Sequence, residues 1–202
     1  MLYEIILISI LSIFTAIIIL LLRKRYLDIS KIKIEIRGYK VLILMAVIEI
    51  TAQFLFKKYT DNNLLKILSF SWLIYIAIFY VSAINIKKSY MMLFFLGTLL
   101  NFIAIASNDF KMPVLVSDIL TDVEAKKMYL LAGQDLIHSL LTEETKFKYL
   151  CDIITLPPPY PFPKTISAGD VLLLSGIFAF WLDILEGKKK QKTKNKEQID
   201  NK

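Results

Sequence analysis

From Leu2 to Leu22 the chain carries a single charge, Glu4, and then meets Arg23-Lys24-Arg25. A helix rises about 1.5 Å per residue, so about 20 apolar residues match the hydrocarbon thickness of a bilayer. Four further apolar runs follow, at roughly 41–56, 68–86, 90–107 and 170–185. An ordinary globular chain is about 45–50% apolar. This one is 56% hydrophobic with a mean hydropathy of +0.56, and the excess lies in those runs. The pattern predicts an all-α polytopic bundle of about five transmembrane helices, with a membrane domain over 1–187 and a low-complexity tail over 188–202. The second and fifth runs are short, and as spans they tilt little or borrow flanking residues.

Charge sets the expected orientation. The net charge is +7. Residues 23–40 hold seven Lys and Arg against two acids, and residues 188–202 repeat that balance, so each segment is +5. Residues 108–170 hold six lysines against nine acids and are −3. A basic chain can bind nucleic acid, but this segregation fits a membrane, where Lys and Arg collect on the cytoplasmic side. The expected location is the bacterial cytoplasmic membrane, with the N-terminus outside, 108–169 external and the tail inside. No nucleic-acid partner is expected. The first run lacks a basic prefix and a small-residue cleavage site, so it reads as an uncleaved anchor.

The external segment has its own pattern. Thr121-Asp122-Val123-Glu124 reads as a capping box opening an amphipathic helix over 121–132, with Gly133 as its stop. A second amphipathic helix is expected over 134–150. Pro157 to Pro163 holds five prolines and predicts an extended polyproline strut leading into the last run.

Polar groups inside apolar runs are functional candidates by default. Glu49 and Gln53 stand four apart on one helical face. Asn101 lies in the fourth run, Asn108 and Asp109 mark its end, and Asp170 opens the fifth. His138 is the sole histidine. Each has a structural alternative: Glu49, Gln53 and Asn101 as bridges between helices, Asn108 and Asp109 as a helix stop, His138 as a surface residue. Ser167-Ala168-Gly169-Asp170 also reads as a cap, and Asp183 is expected to pair with a tail lysine. The single cysteine, Cys151, excludes an intramolecular disulfide, and no zinc pattern, phosphate loop or nucleophile elbow is present. No metal or cofactor is expected. Two carboxylates, Asp152 and Asp170, remain as a catalytic device, since a close pair shares a proton.

The stretch from Gly97 to Gly176 resembles a family of bacterial membrane proteins, domain of unknown function fifty-three-seventeen. The resemblance rests on Gly97-x-x-x-Asn101, Asn108, Met112-Pro113-Val114, His138, Thr145, Leu150-Cys151-Asp152 and Ser167-x-Gly169-Asp170-Val171-Leu172. It implies a membrane protein and no particular activity. A weaker likeness is to lipoprotein signal peptidase, a membrane aspartic protease with its aspartates at the outer face. It rests on the order of Asp152 and Ala168-Gly169-Asp170 and on the Gly97–Asn101 segment. The peptidase's Asn before the second aspartate and its Asp-Arg pair are absent here.

The sequence supports two functions. One is a binding or scaffold component acting through its acidic external segment on a membrane-anchored protein or lipid ligand. The other is an aspartic hydrolase using Asp152 and Asp170. The charge segregation makes one testable prediction. In intact cells, a Lys126→Cys variant is labelled by an impermeant thiol reagent and a Lys194→Cys variant is not. Labelling at 194 without labelling at 126 refutes the orientation.

Overall fold

The computed structural model describes residues 2–22, 35–58, 72–120, 122–135 and 137–186. The described chain is mostly helical. Helices occupy the place of each apolar run: α1 (Leu2–Leu22), α2 (Tyr39–Lys58), α3 (Trp72–Ile84), α4 (Ser89–Ser107) and, after the long segment that follows it, α6 (Ala168–Glu186). A shorter helix, α5 (Val123–Leu131), lies between them. Among the described residues one helix, Ser89–Ser107, is long and apolar enough to cross a membrane, and Ile6–Leu22 and Ile74–Ile84 are shorter apolar stretches.

The chain divides into two compact units. The first holds α1 and α6 from Leu174 onward. On α1 the residues Ser12, Ala16 and Leu20 are buried, four apart along one stripe, while Phe14, Leu21 and Leu22 are exposed. The Ser12 hydroxyl donates to the Ile8 carbonyl at 2.6 Å, so that buried polar group is satisfied within its own helix.

The second unit spans 36–173. Here α2 packs on α3 and α3 on α4, with the Phe79 and Phe95 rings stacked at 4.6 Å. Asn85, in the turn between α3 and α4, is buried and grips the entry to α2. It donates to the Arg37 carbonyl at 2.9 Å and accepts from the Arg37 N–H at 3.0 Å. Gly38 follows at φ +77°, a left-handed conformation suited to glycine.

The segment between α4 and α6 folds around three backbone pairings. β1 (Met112–Val114) pairs in parallel with β2 (His138–Leu140), and β3 (Ile154–Leu156) pairs antiparallel with β4 (Lys164–Ile166). An isolated bridge joins Val114 to Asp152. Pro113 is tolerated in β1 because this bridge uses its carbonyl, which accepts from the Asp152 N–H at 3.0 Å.

Two expectations for this segment are corrected. Residues 134–150 do not form a second helix. The Asp135 carboxylate accepts from the N–H groups of Ile137 and His138 at 2.8 and 2.9 Å, a local turn that sends the chain into β2 instead. A 3₁₀ turn over Lys148–Leu150 is the helical remnant. The proline stretch is not a straight strut but the loop of the β3–β4 hairpin. Its flanks, Ile154-Thr155-Leu156 and Lys164-Thr165-Ile166, are rich in β-branched residues and pair. The prolines sit where no ladder donor is needed.

The helix expected over 121–132 is present as α5, but its N-cap is Asp122, at φ 57° and without a side-chain cap hydrogen bond; Thr121, the expected cap, lies outside the described residues. Gly133, at φ +67°, closes it with Gly133 N–H to Leu130 O at 3.1 Å and Gln134 N–H to Tyr129 O at 3.3 Å. α5 buries Leu130 and leaves Met128 and Leu131 exposed.

Asn108 ties the segment to the end of α4. Its amide donates to the carbonyls of Ala104 at 2.7 Å and Lys146 at 3.0 Å, and its oxygen accepts from the Lys146 N–H at 2.9 Å. Asn108→Ala loses all three bonds and is expected to destabilise by about 1–3 kcal/mol. Asn108→Asp keeps only the acceptor and should fall between. Thermal unfolding of the purified protein checks this order, and an Ala variant as stable as the parent refutes it.

Candidate functional site

The site lies where the start of α6 meets α4. Ser167 caps α6: its hydroxyl oxygen accepts from the Asp170 N–H at 2.9 Å, and its own N–H donates to Asp170 Oδ2 at 3.4 Å. This is a capping box with aspartate at the third helical position. The cap also reaches outward. The Ser167 hydroxyl donates to Asn101 Oδ1 at 2.7 Å, and Asn101 Nδ2 donates to Asp170 Oδ1 at 2.8 Å. Asn101 Nδ2 lies 3.5 Å from the Tyr75 hydroxyl as well. Asn101 and Ser167 are both fully buried.

Glycine makes this approach possible. A Cβ built at Gly169 falls 2.6 Å from the Gly97 carbonyl oxygen and collides with the Asn101 amide. A Cβ at Gly97 falls 2.7 Å from the Gly169 carbonyl oxygen. The backbones of α4 and α6 therefore touch at two glycines, one turn from Asn101, and the amide can span the seam.

Asp152 arrives from the other side. Its backbone is held against β1 by the bond to Pro113 and by its carbonyl accepting from the Leu115 N–H at 2.8 Å. The β3–β4 hairpin then turns the chain back, so that residue 170 follows within the same unit. Thr165 on β4 secures that return through its hydroxyl, which donates to the Leu115 carbonyl at 2.9 Å. Asp152 is 6% exposed, and its Oδ1 accepts no hydrogen bond among the described residues. Burial, and then the charge of Asp170, push the Asp152 carboxyl up to about 7, against the opposing pull of Lys164 and Lys126.

The other candidates are placed as follows. Asn108 is the clamp described above. His138 lies on β2, its Nδ1 3.0 Å from Asp135 Oδ2. Burial pulls the Asp135 carboxyl up, but the hydrogen bonds from His138 and Ile137 and the imidazole's charge outweigh it, so the net shift is downward. Asp109 sits in the turn after α4 at φ +52°. Glu49 and Gln53 belong to α2, but their side chains lie outside the described residues, as do the tail lysines expected to meet Asp183. Cys151 is fully buried, and burial with the Asp152 charge raises its thiol to about 11. It is protonated at neutral pH and no nucleophile. Among the described residues no group of three or more His, Cys, Asp or Glu is arranged to hold a metal.

Several contributors carried no sequence signal of function. Ser167 is legible as a cap but not as a donor to a residue 66 positions away. Tyr75 and Thr165 sit among many similar residues. The Gly97–Gly169 contact had a sequence trace, since both glycines stand beside the polar residues they serve.

The arrangement has a pH signature. An aspartate in an unfolded chain titrates near 4. From there to about 7 the folded chain keeps a proton on Asp152 that the unfolded chain has lost. Its contribution to stability is therefore whole at about pH 4 and declines, by a few kcal/mol, as pH rises through that window. Asp152→Asn removes this slope. Melting temperatures measured from about pH 4 to 8 should converge at the acid end and separate at the basic end, with the variant higher. Parallel curves for the two proteins refute the assignment.

Comparison with known proteins supplies one match. No curated protein and no solved structure matches the chain, so the likeness to lipoprotein signal peptidase gains no support. A family model matches residues 33–182, a range that contains Asn101, Asp152, Ser167, Gly169 and Asp170. The chain belongs to that family, the family of unknown function DUF5317.

Proposed function

We propose that this chain is a multi-pass membrane protein, N-terminus outside and C-terminus cytoplasmic, whose folded external segment is a binding module centred on Asp152 and Asp170. The membrane part of this reading is supported by large apolar side chains left exposed on the helices, Phe14 on α1, Ile50 and Phe54 on α2 and Phe102 on α4, while the polar Ser12, Ser82, Thr98 and Asn101 are buried. Large exposed apolar surface in water marks an interaction site, and in a bilayer it is the solvated face.

The binding part rests on one observation: a buried carboxylate oxygen of Asp152 accepts no hydrogen bond and lies within the field of a second carboxylate. A buried acceptor without a donor is costly, and a ligand group that supplies a proton or positive charge relieves it. The fitting ligand is a lipid or a membrane-anchored protein presenting an amine or another strong donor at the outer face. Asp170 is already engaged by Asn101 and by its own cap, so Asp152 makes the direct contact and Asp170 supplies field.

A second reading, a membrane aspartic hydrolase, is favoured by the unlike settings of the two carboxyls. Asp152 is pushed up to about 7 while Asp170 accepts two hydrogen bonds. Such a pair can place acid and base on either side of a water.

The two readings separate on mutation. In native nanodiscs, mass spectrometry should find a lipid or protein retained by the parent and reduced about tenfold or more, the equivalent of 1.4 kcal/mol, by Asp152→Asn. Asp170→Asn should cause a smaller loss. The hydrolase reading instead expects either variant to accumulate an uncleaved membrane-anchored substrate in cells. If both variants match the parent in retained ligands and in the membrane proteome, the site has neither role.

A further inference from the structure

Two bulky residues of the external segment occupy backbone conformations that favour glycine. Phe110 stands at φ +58° and Phe147 at φ +50°. Both are exposed, by 66% and 59%. A left-handed phenylalanine is strained, and a glycine in either place is relaxed. Burial within the protein does not repay that strain, because the rings point into the surroundings. The hydrogen bonds of the two turns hold the backbone there, and the exposed rings meet whatever surrounds the protein.

The two turns that carry these rings are fastened side by side. The Lys111 N–H closes the Asn108–Lys111 turn on the Asn108 carbonyl at 3.0 Å, with Asp109 and Phe110 between. The Asn108 side chain then holds both the N–H and the carbonyl of Lys146, next to Phe147. Phe147 opens the 3₁₀ turn, its carbonyl accepting from the Leu150 N–H at 2.8 Å, and Tyr149 within that turn is 85% exposed. Three aromatic rings thus project from a clamped double turn beginning one residue after α4 ends at Ser107.

We propose that Phe110, Phe147 and Tyr149 form an interfacial anchor that sits in the headgroup layer of the bilayer at the outer end of α4. The proposal rests on the reading that α4 crosses the membrane. Continuity with α4 selects lipid as the occupant. A span of 19 residues covers about 28 Å, so its last turn lies at the membrane surface, and the double turn follows at the same level. Aromatic rings concentrate at that depth, with the tyrosine hydroxyl toward water. The rigid Asn108 clamp then has a purpose beyond folding: it fixes the height of the Asp152 site above the lipid surface.

Depth-dependent quenching tests this in nanodiscs, in a background where Trp72 and Trp181 are replaced by phenylalanine. Phe147→Trp and Tyr149→Trp are each expected to emit blue-shifted from Glu143→Trp. Lipids brominated near the headgroup should quench both, and aqueous iodide should quench them little. Leu96→Trp, midway along α4, is the control for the underlying reading. Quenching there by lipids brominated deep in the chain keeps α4 in the membrane. With that control positive, iodide quenching of 147 and 149 equal to that of 143 overturns the anchor. A blue shift that needs high protein density, or that persists without bromine quenching, assigns the rings to a protein contact and overturns it equally. A negative result at 96 instead overturns the span, and the anchor with it. The two aromatic positions are read separately, so one misfolded variant does not decide the result.

Discussion

The side-chain amide of Asn101 is enclosed at both ends, accepting from the Ser167 hydroxyl and donating to Asp170. Most of the arrangement around it depends on this amide. It stands in an apolar helix, where an unpaired amide is expensive. The start of α6, brought against α4 at Gly97 and Gly169, supplies a partner for both its oxygen and its nitrogen. The same contact fixes where α6 begins, because Ser167 is at once the cap and the partner. It also sets the position of Asp170, whose two oxygens are divided between the cap and the amide. Helix start, helix packing and carboxylate placement are thus one interaction described from three sides.

The segment between α4 and α6 is organised by a different principle. Its strands are three residues long, too short to stand alone. Side-chain hydrogen bonds around them tie the segment together. Asn108 holds Lys146, Thr165 holds Leu115, and Asp135 turns the chain into β2. The result places the Asp152 backbone rigidly against β1 while its carboxylate oxygen stays without a donor. A buried acceptor with no donor among the described residues is a departure that the pairing around it does not explain.

Two left-handed phenylalanines and an unsatisfied carboxylate lie on one folded segment, and both departures from local preference have outward explanations. The aromatic rings are exposed, and the carboxylate oxygen is buried without a donor among the described residues. On the proposed membrane reading, the segment lies on the lipid surface through the first and works through the second. His138, prominent as the sole histidine, pairs with Asp135 and takes part in the turn before β2.

The helices were legible from sequence because apolar runs report their own length and need no partner to be recognised. α1, α4 and α6 begin and end within about two residues of the apolar runs that foretold them. Capping signals were legible for the same reason: Ser167 with Asp170, and Gly133, act on backbone groups a few residues away. The segment between α4 and α6 was not. Residues 134–150 have a helical apolar spacing, yet their backbone donors go to Asp135, Asn108 and β1, partners the spacing does not reveal. The proline run is stiff in isolation, but its flanking strands pair and make it a loop. The sequence alone therefore determined which stretches are apolar helices, where charge accumulates and which residues cap. Tertiary structure alone decided that Asp152 lies in the field of Asp170, because a 17-residue return through a hairpin is governed by pairing at its two ends and by nothing local between them.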